Sequence, residues 1–96
     1  MLQCVATVVT EQPDRYIKQL VSHLGHKWTT EVAGDGTGSL SSAVGRCTLT
    51  PEPGAMRLLA TASDGESLER VRDVVKRHLE RFGARQGLRV EWSDPV

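Results

Sequence analysis

Residues 46–62, RCTLTPEPGAMRLLATA, decide the fold. RCTLTP and MRLLATA are short β-like runs, and the PEPGA that links them places proline and glycine where a chain reverses. A connection this short joins antiparallel neighbours, because parallel strands need a crossover of a dozen or more residues. Toward the N-terminus, WTTEVA (28–33) and GSLSS (38–42) read as two further strands, separated by the turn residues of AGDGTG. Four such runs in succession predict an antiparallel meander. Residues 34–46 are rich in serine and glycine, so GSLSS is the weakest strand of the four, and Gly45 marks a bulge or tight turn before RCTLTP.

Outside the meander the periodicity changes. MLQCVATVVT (1–10) alternates, with Leu2, Cys4, Ala6 and Val8 on one face and Gln3, Val5, Thr7 and Val9 on the other, which is the pattern of a strand. Pro13 suits the first position of a helix and Asp14 complements its positive end, predicting a helix over 13–26 with an apolar stripe of Tyr16, Ile17, Leu20, Val21 and Leu24. A second helix opens at SDGE, where Ser63 and Glu66 have capping-box spacing, and ends at Gly83 in a left-handed cap. Its buried stripe is Leu68, Val71, Val75, Leu79 and Phe82, and its outer face pairs Glu66, Glu69, Asp73 and Glu80 with Arg70, Arg77 and Arg81. LRVEW (88–92) alternates again and reads as a closing strand with Leu88, Val90 and Trp92 on one face. The order β-α-β-β-β-β-α-β predicts an α+β fold of two layers, with both helices on one face of a curved antiparallel sheet. Val5, Val9, Val32 and Leu59 then fall on the open face, and a homodimer is the simplest cover for them.

Composition excludes more than it asserts. A chain of 96 residues suits a single domain with one core. Twelve basic and twelve acidic residues cancel, so no global field draws the protein to nucleic acid or to an acidic membrane. The N-terminus has neither a positive n-region nor a long apolar h-region, no run approaches the roughly eighteen residues of a membrane span, and the chain reads as cytoplasmic. Cys4 and Cys47 show no C-x-x-C pairing and read as small buried hydrophobes. GDGTG lacks the lysine of a P-loop and leads into no helix, so it reads as a hairpin turn. The arginines Arg70, Arg77, Arg81 and Arg85 are capable of holding phosphates or an acidic partner, yet their acidic neighbours favour a salt-bridged, solvated face.

The three histidines carry the remaining chemistry. At about 100° per residue, His23 lies at the border of the first helix's apolar stripe, His26 turns to the polar side and His78 sits within the apolar arc of the second helix. One imidazole on each helix can meet in the groove between them, and imidazole is a common ligand for transition metals. His23, His26 and His78 are therefore the candidate metal ligands, although no cysteine or carboxylate is placed by sequence to complete a set. For a ligand other than metal the candidates are His23, His78, Tyr16, Cys47 and Arg85.

RYIKQLVSHLGHK (15–27), GRCTL (45–49), DVVKRHLERFG (73–83) and LRVEW together closely resemble the small bacterial family called domain of unknown function 2218, from about Ala6 to Trp92. His23, His26 and His78, with Lys18, Arg46, Cys47 and Arg77, match segments typical of that family, whereas SLSSAV is less apolar than the equivalent strand. The resemblance implies a stand-alone cytoplasmic bacterial domain and, through related domains, an association with siderophore-interacting flavoproteins. It transfers no catalytic residue. The expectation is a non-enzymatic binding or accessory module whose inter-helix groove accepts a small ligand or a transition metal. The alternatives are a small enzyme with a histidine general acid or base, partnered by Cys47 or Tyr16, and a purely structural dimerisation domain.

Overall fold

The computed structural model describes residues 1–96. The elements are β1 (Leu2–Val9), α1 (Pro13–Leu24), β2 (Thr29–Val32), β3 (Gly38–Ser41), β4 (Arg46–Glu52), β5 (Ala55–Ala62) and α2 (Gly65–Phe82), followed by a 3-10 turn at Ala84–Gln86. All strand pairs are antiparallel, in the order β1-β5-β4-β3-β2. The meander therefore forms as expected, and β1 returns to lie beside β5. Between β4 and β5 the chain reverses through Pro53 and Gly54, with Gly54 in the left-handed region at φ +72°.

Alternation decides what each strand buries. Cys4, Ala6 and Val8 of β1, Met56, Leu58, Ala60 and Ala62 of β5, Cys47 and Leu49 of β4, and Leu40 of β3 form the core face. Tyr16, Ile17, Leu20 and Leu24 of α1 and Leu68, Val71, Val75 and Leu79 of α2 cover it. Leu40 is fully buried, so the serine-rich run does form a strand on the strength of one apolar side chain. On the open face Val5 and Val9 are exposed and Leu59 is partly so, separated by Thr7, Thr48, Thr50, Thr61, Arg46 and Arg57. Val32, expected there too, is exposed but lies on the helix-bearing face, because it registers with Gly38, which stands against Ile17 and pairs with the core residue Leu49. No helix is long and apolar enough to cross a membrane.

Four local expectations are corrected. The cap of α2 is Asp64 rather than Ser63: its Oδ1 accepts the Ser67 N–H at 2.8 Å, and that hydrogen bond holds the Asp64 carboxyl below the usual carboxylate range. Helix α1 stops at Leu24, not at residue 26, because the N–H groups of Lys27 and Trp28 both fold back to the Leu24 carbonyl, at 3.2 and 2.9 Å. Gly83 ends α2 but is not left-handed (φ −101°, ψ 21°), and glycine is needed there because a Cβ would sit 2.5 Å from the Leu88 Cβ.

The last correction concerns LRVEW, which adds no regular strand. Leu88 and Val90 are buried on the expected face, with Trp92 packed against the core. The segment's hydrogen bonds, however, go to α2: the Val90 N–H donates to Glu80 Oε2 at 2.9 Å and the Trp92 indole N–H to the Arg72 carbonyl at 3.2 Å. Pairing with β1 comes only later. The Ser93 N–H donates to the Val5 carbonyl at 2.8 Å, and Gln3 and Val96 exchange two bonds at 2.8 and 3.0 Å. Between these contacts the Ser93 hydroxyl accepts the Val5 N–H at 3.0 Å, where a ladder would use a carbonyl.

Candidate functional site

Helices α1 and α2 lie side by side on the sheet because Leu20 and Leu24 on one, and Val75 and Leu79 on the other, are buried beneath them. His23 lies three residues beyond Leu20 and His78 three beyond Val75, so each stands on the flank of its apolar stripe. The flanks meet. The two imidazole rings have centroids 5.1 Å apart at 53°, and Phe82, one turn beyond His78, packs edge-on at 5.6 Å from His23 and 6.2 Å from His78. His23 is exposed and His78 partly buried.

His78 is held in one orientation. Its Nδ1 lies 2.7 Å from the Val74 carbonyl, and since a carbonyl only accepts, Nδ1 carries the proton and Nε2 is the uncommitted nitrogen. Both rings line an open cleft of about 710 Å³, which His26, Lys27, Trp28 and Arg77 also border. The other hollows in the protein are about 310 to 360 Å³. Lys27 and Trp28 give no sequence signal for this role, because they fall where the chain passes from helix to strand. Phe82 is legible only as one more apolar stripe residue.

The remaining candidates do not converge on the cleft. The three histidines make no ligand set: no three His, Cys, Asp or Glu side chains are grouped closely enough to hold a metal ion. His26 lies past the end of α1, in the turn toward β2, and borders the cleft without joining the ring cluster. Tyr16 is seven residues before His23, about 10 Å back along the helix axis. Its hydroxyl donates to Gln86 Oε1 at 3.1 Å beside a separate hollow of about 330 Å³. Arg85 is exposed on the 3-10 turn, and Cys47 is fully buried in β4.

Cys4 and Cys47 both register against Ala60, one on each side, so their Cα atoms are about two strand spacings apart, roughly 10 Å, beyond disulfide reach. Burial pushes the Cys47 thiol up, and the neighbouring Cys4 adds to this. Burial also raises Cys4, against the opposing pull of the Arg72 guanidinium. A nucleophilic role for Cys47 is thereby removed, since the thiolate is the reactive form. Neither thiol is expected to react with an aromatic disulfide reagent in the folded protein, whereas both should react in guanidinium. Rapid labelling of folded protein at Cys47 would contradict the burial.

The charged face of α2 is paired partly as the sequence predicts: Arg70 and Arg77 take expected partners, whereas Glu69 meets Arg72 at 3.4 Å, Glu80 meets Lys76, and Arg81 makes no ion pair. Glu66 contacts Arg70 at 3.7 Å, Asp73 contacts Arg77 at 2.8 Å and Glu80 contacts Lys76 at 4.0 Å. GDGTG is a hairpin turn, closed by the Ala33 N–H on the Thr37 carbonyl at 2.8 Å, with Gly36 at φ +91°.

These observations define a class first: a two-layer α+β domain with a histidine-bearing cleft between the ends of its two helices. The chain belongs to the family described as uncharacterized protein conserved in bacteria, domain of unknown function 2218, whose model matches residues 5–93. Among solved structures it is similar to the NMR structure of PA4090 from Pseudomonas aeruginosa, at 28% identity and a TM-score of 0.80, covering 97% of this chain and 96% of that one. No curated protein matches.

Proposed function

We propose that the protein is a non-enzymatic binding or accessory module whose ligand sits in the cleft over His23 and His78. The observation that carries this reading is the meeting of the two imidazoles on the wall of the largest cleft, with His78 Nε2 uncommitted. A general acid or base works best when a carboxylate orients it and the cleft is closed to water. Here a backbone carbonyl orients His78, and Tyr16 and Cys47 lie elsewhere, which favours binding over the enzyme reading. Two imidazoles leave most positions of a transition metal open, so a metal enters this site most naturally together with an oxygen chelator that fills them. Such a ligand is what an association with iron, siderophores and siderophore-interacting flavoproteins would require. Self-association belongs to the proposal through the open sheet face, where Val5 and Leu59 stand opposite one another.

The test is metal and ligand titration of tag-free protein, comparing the native sequence with His23→Ala, His26→Ala and His78→Ala. Loss of binding in His23→Ala and His78→Ala, with both variants folded, is the expected result. If the native protein binds no metal, chelate or small anion, and the variants lose only stability, the rings are packing residues and the proposal fails.

A further inference from the structure

We infer that the ligand of this cleft is a small oxyanion, a molecule presenting carboxylate or phosphate oxygens to His23, His26, Lys27, Arg77 and His78. The inference rests on the binding reading above and gives that site its ligand class.

The charge distribution carries the argument. The chain has twelve acidic residues, yet none of the nine that border this cleft is an aspartate or glutamate. Two permanent cations, Lys27 and Arg77, and three imidazoles border it instead. Clefts of one sign concentrate counter-ions of the other. Lys27 takes part in none of the ion pairs of the protein. Arg77 meets Asp73 through Nε alone, at 2.8 Å, so its two terminal nitrogens are left to donate elsewhere. A bare divalent metal would approach these two cations with only Asp73, already held by Arg77, to offset them. An oxyanion, or a metal chelate of net negative charge, meets the opposite field.

The imidazoles act in the same direction. With Nδ1 on the Val74 carbonyl, protonation of His78 places its second proton on Nε2, converting that nitrogen from acceptor to donor. The two rings stand with centroids 5.1 Å apart, close enough for one small anion to meet both. Ser22 is neutral, Asp73 is engaged by Arg77, and Trp28 offers an indole for any apolar part of the ligand. The volume of about 710 Å³ suits a small organic anion.

The experiment is a titration of the isotope-labelled protein with citrate and with pyrophosphate at low salt, followed by backbone amide shifts, with zinc titrated in a parallel arm. Both anions should move amides around residues 22–28 and 74–78, and bind less tightly as salt is raised. Lys27→Gln and Arg77→Gln should each weaken binding about threefold or more. Arg57→Gln, an equal charge change on the open sheet face, should leave it unaltered. Zinc binding at these amides with no response to either anion overturns the inference and leaves the binding module standing. Anion affinity lowered as much by Arg57→Gln as by Lys27→Gln marks non-specific attraction and also overturns it. Silence in all arms removes both readings.

Discussion

Leu58→Ala is expected to destabilise the protein by about 2–5 kcal/mol, and to lower its midpoint in urea without altering the slope. Leu58 is fully buried on β5, between Ala6 of β1 and Leu49 of β4, in a strand on which α2 packs. Its two cross-strand neighbours are held by ladders on both sides, so they have little freedom to close over the space that alanine leaves. A domain of this size has about 5–15 kcal/mol of total stability, so the loss is a large share of it. It corresponds to a fall in melting temperature on the order of 10–30 °C. A loss below about 1 kcal/mol would mean that the core collapses readily around the site, contrary to packing from both ladders.

Gly45→Ala should be the more damaging of two formally identical changes. An added Cβ there would collide with the Thr61 carbonyl oxygen, and would lie 3.0 Å from Val71 Cγ2 and 3.1 Å from the Ala62 Cβ. Thr61 is paired with Arg46 in the β4–β5 ladder, so its carbonyl cannot step aside without breaking register. Forced overpacking of this kind costs about 1–3 kcal/mol or more, against which the reduced freedom of the unfolded chain returns only about 0.4–1 kcal/mol. Gly65→Ala, at the first position of α2 with nothing within 4 Å of its added Cβ, is the matched control and should be neutral or stabilising. Chemical denaturation of the two variants side by side checks the prediction. Equal stabilities would mean that the approach of Gly45 to β5 is not the constraint described.

The two results bear on the cleft as well as on the fold. Gly45 lies against Val71 of α2, and Leu58 is on β5, a strand on which α2 packs; α2 is the helix that carries His78, Arg77 and Phe82. Either variant, if folded, is a means of loosening α2 without touching a cleft residue, and ligand affinity measured on it reports how far the site depends on the helix being held in place.

Much of the architecture was legible along the chain because its signals are local. The period-two pattern of MLQCVATVVT, the helical stripes of Tyr16 to Leu24 and Leu68 to Leu79, and the turn residues at Gly36 and Gly54 each specify an element without reference to any other. Errors arose where a tertiary partner outweighed the local pattern. LRVEW alternates like a strand, but Glu80 and Arg72 of α2 take its hydrogen bonds before β1 can. Gly83 looks like a left-handed cap, but the approach of Leu88 is what requires it.

The site divides in the same way. From the sequence alone came the family resemblance, the helices that bear His23 and His78, the border position of His23 and the placing of His78 within the apolar arc, because helical phase depends only on spacing. What the tertiary structure decided was that these two rings meet while His26 does not join them, that Tyr16 and Arg85 belong elsewhere, and that Cys47 is sealed in the core. It also brought Lys27 and Arg77 to the same cleft. Contacts between elements depend on how two helices lie across one sheet, a geometry set by the combined packing of some twenty buried side chains and by no single stretch of the chain.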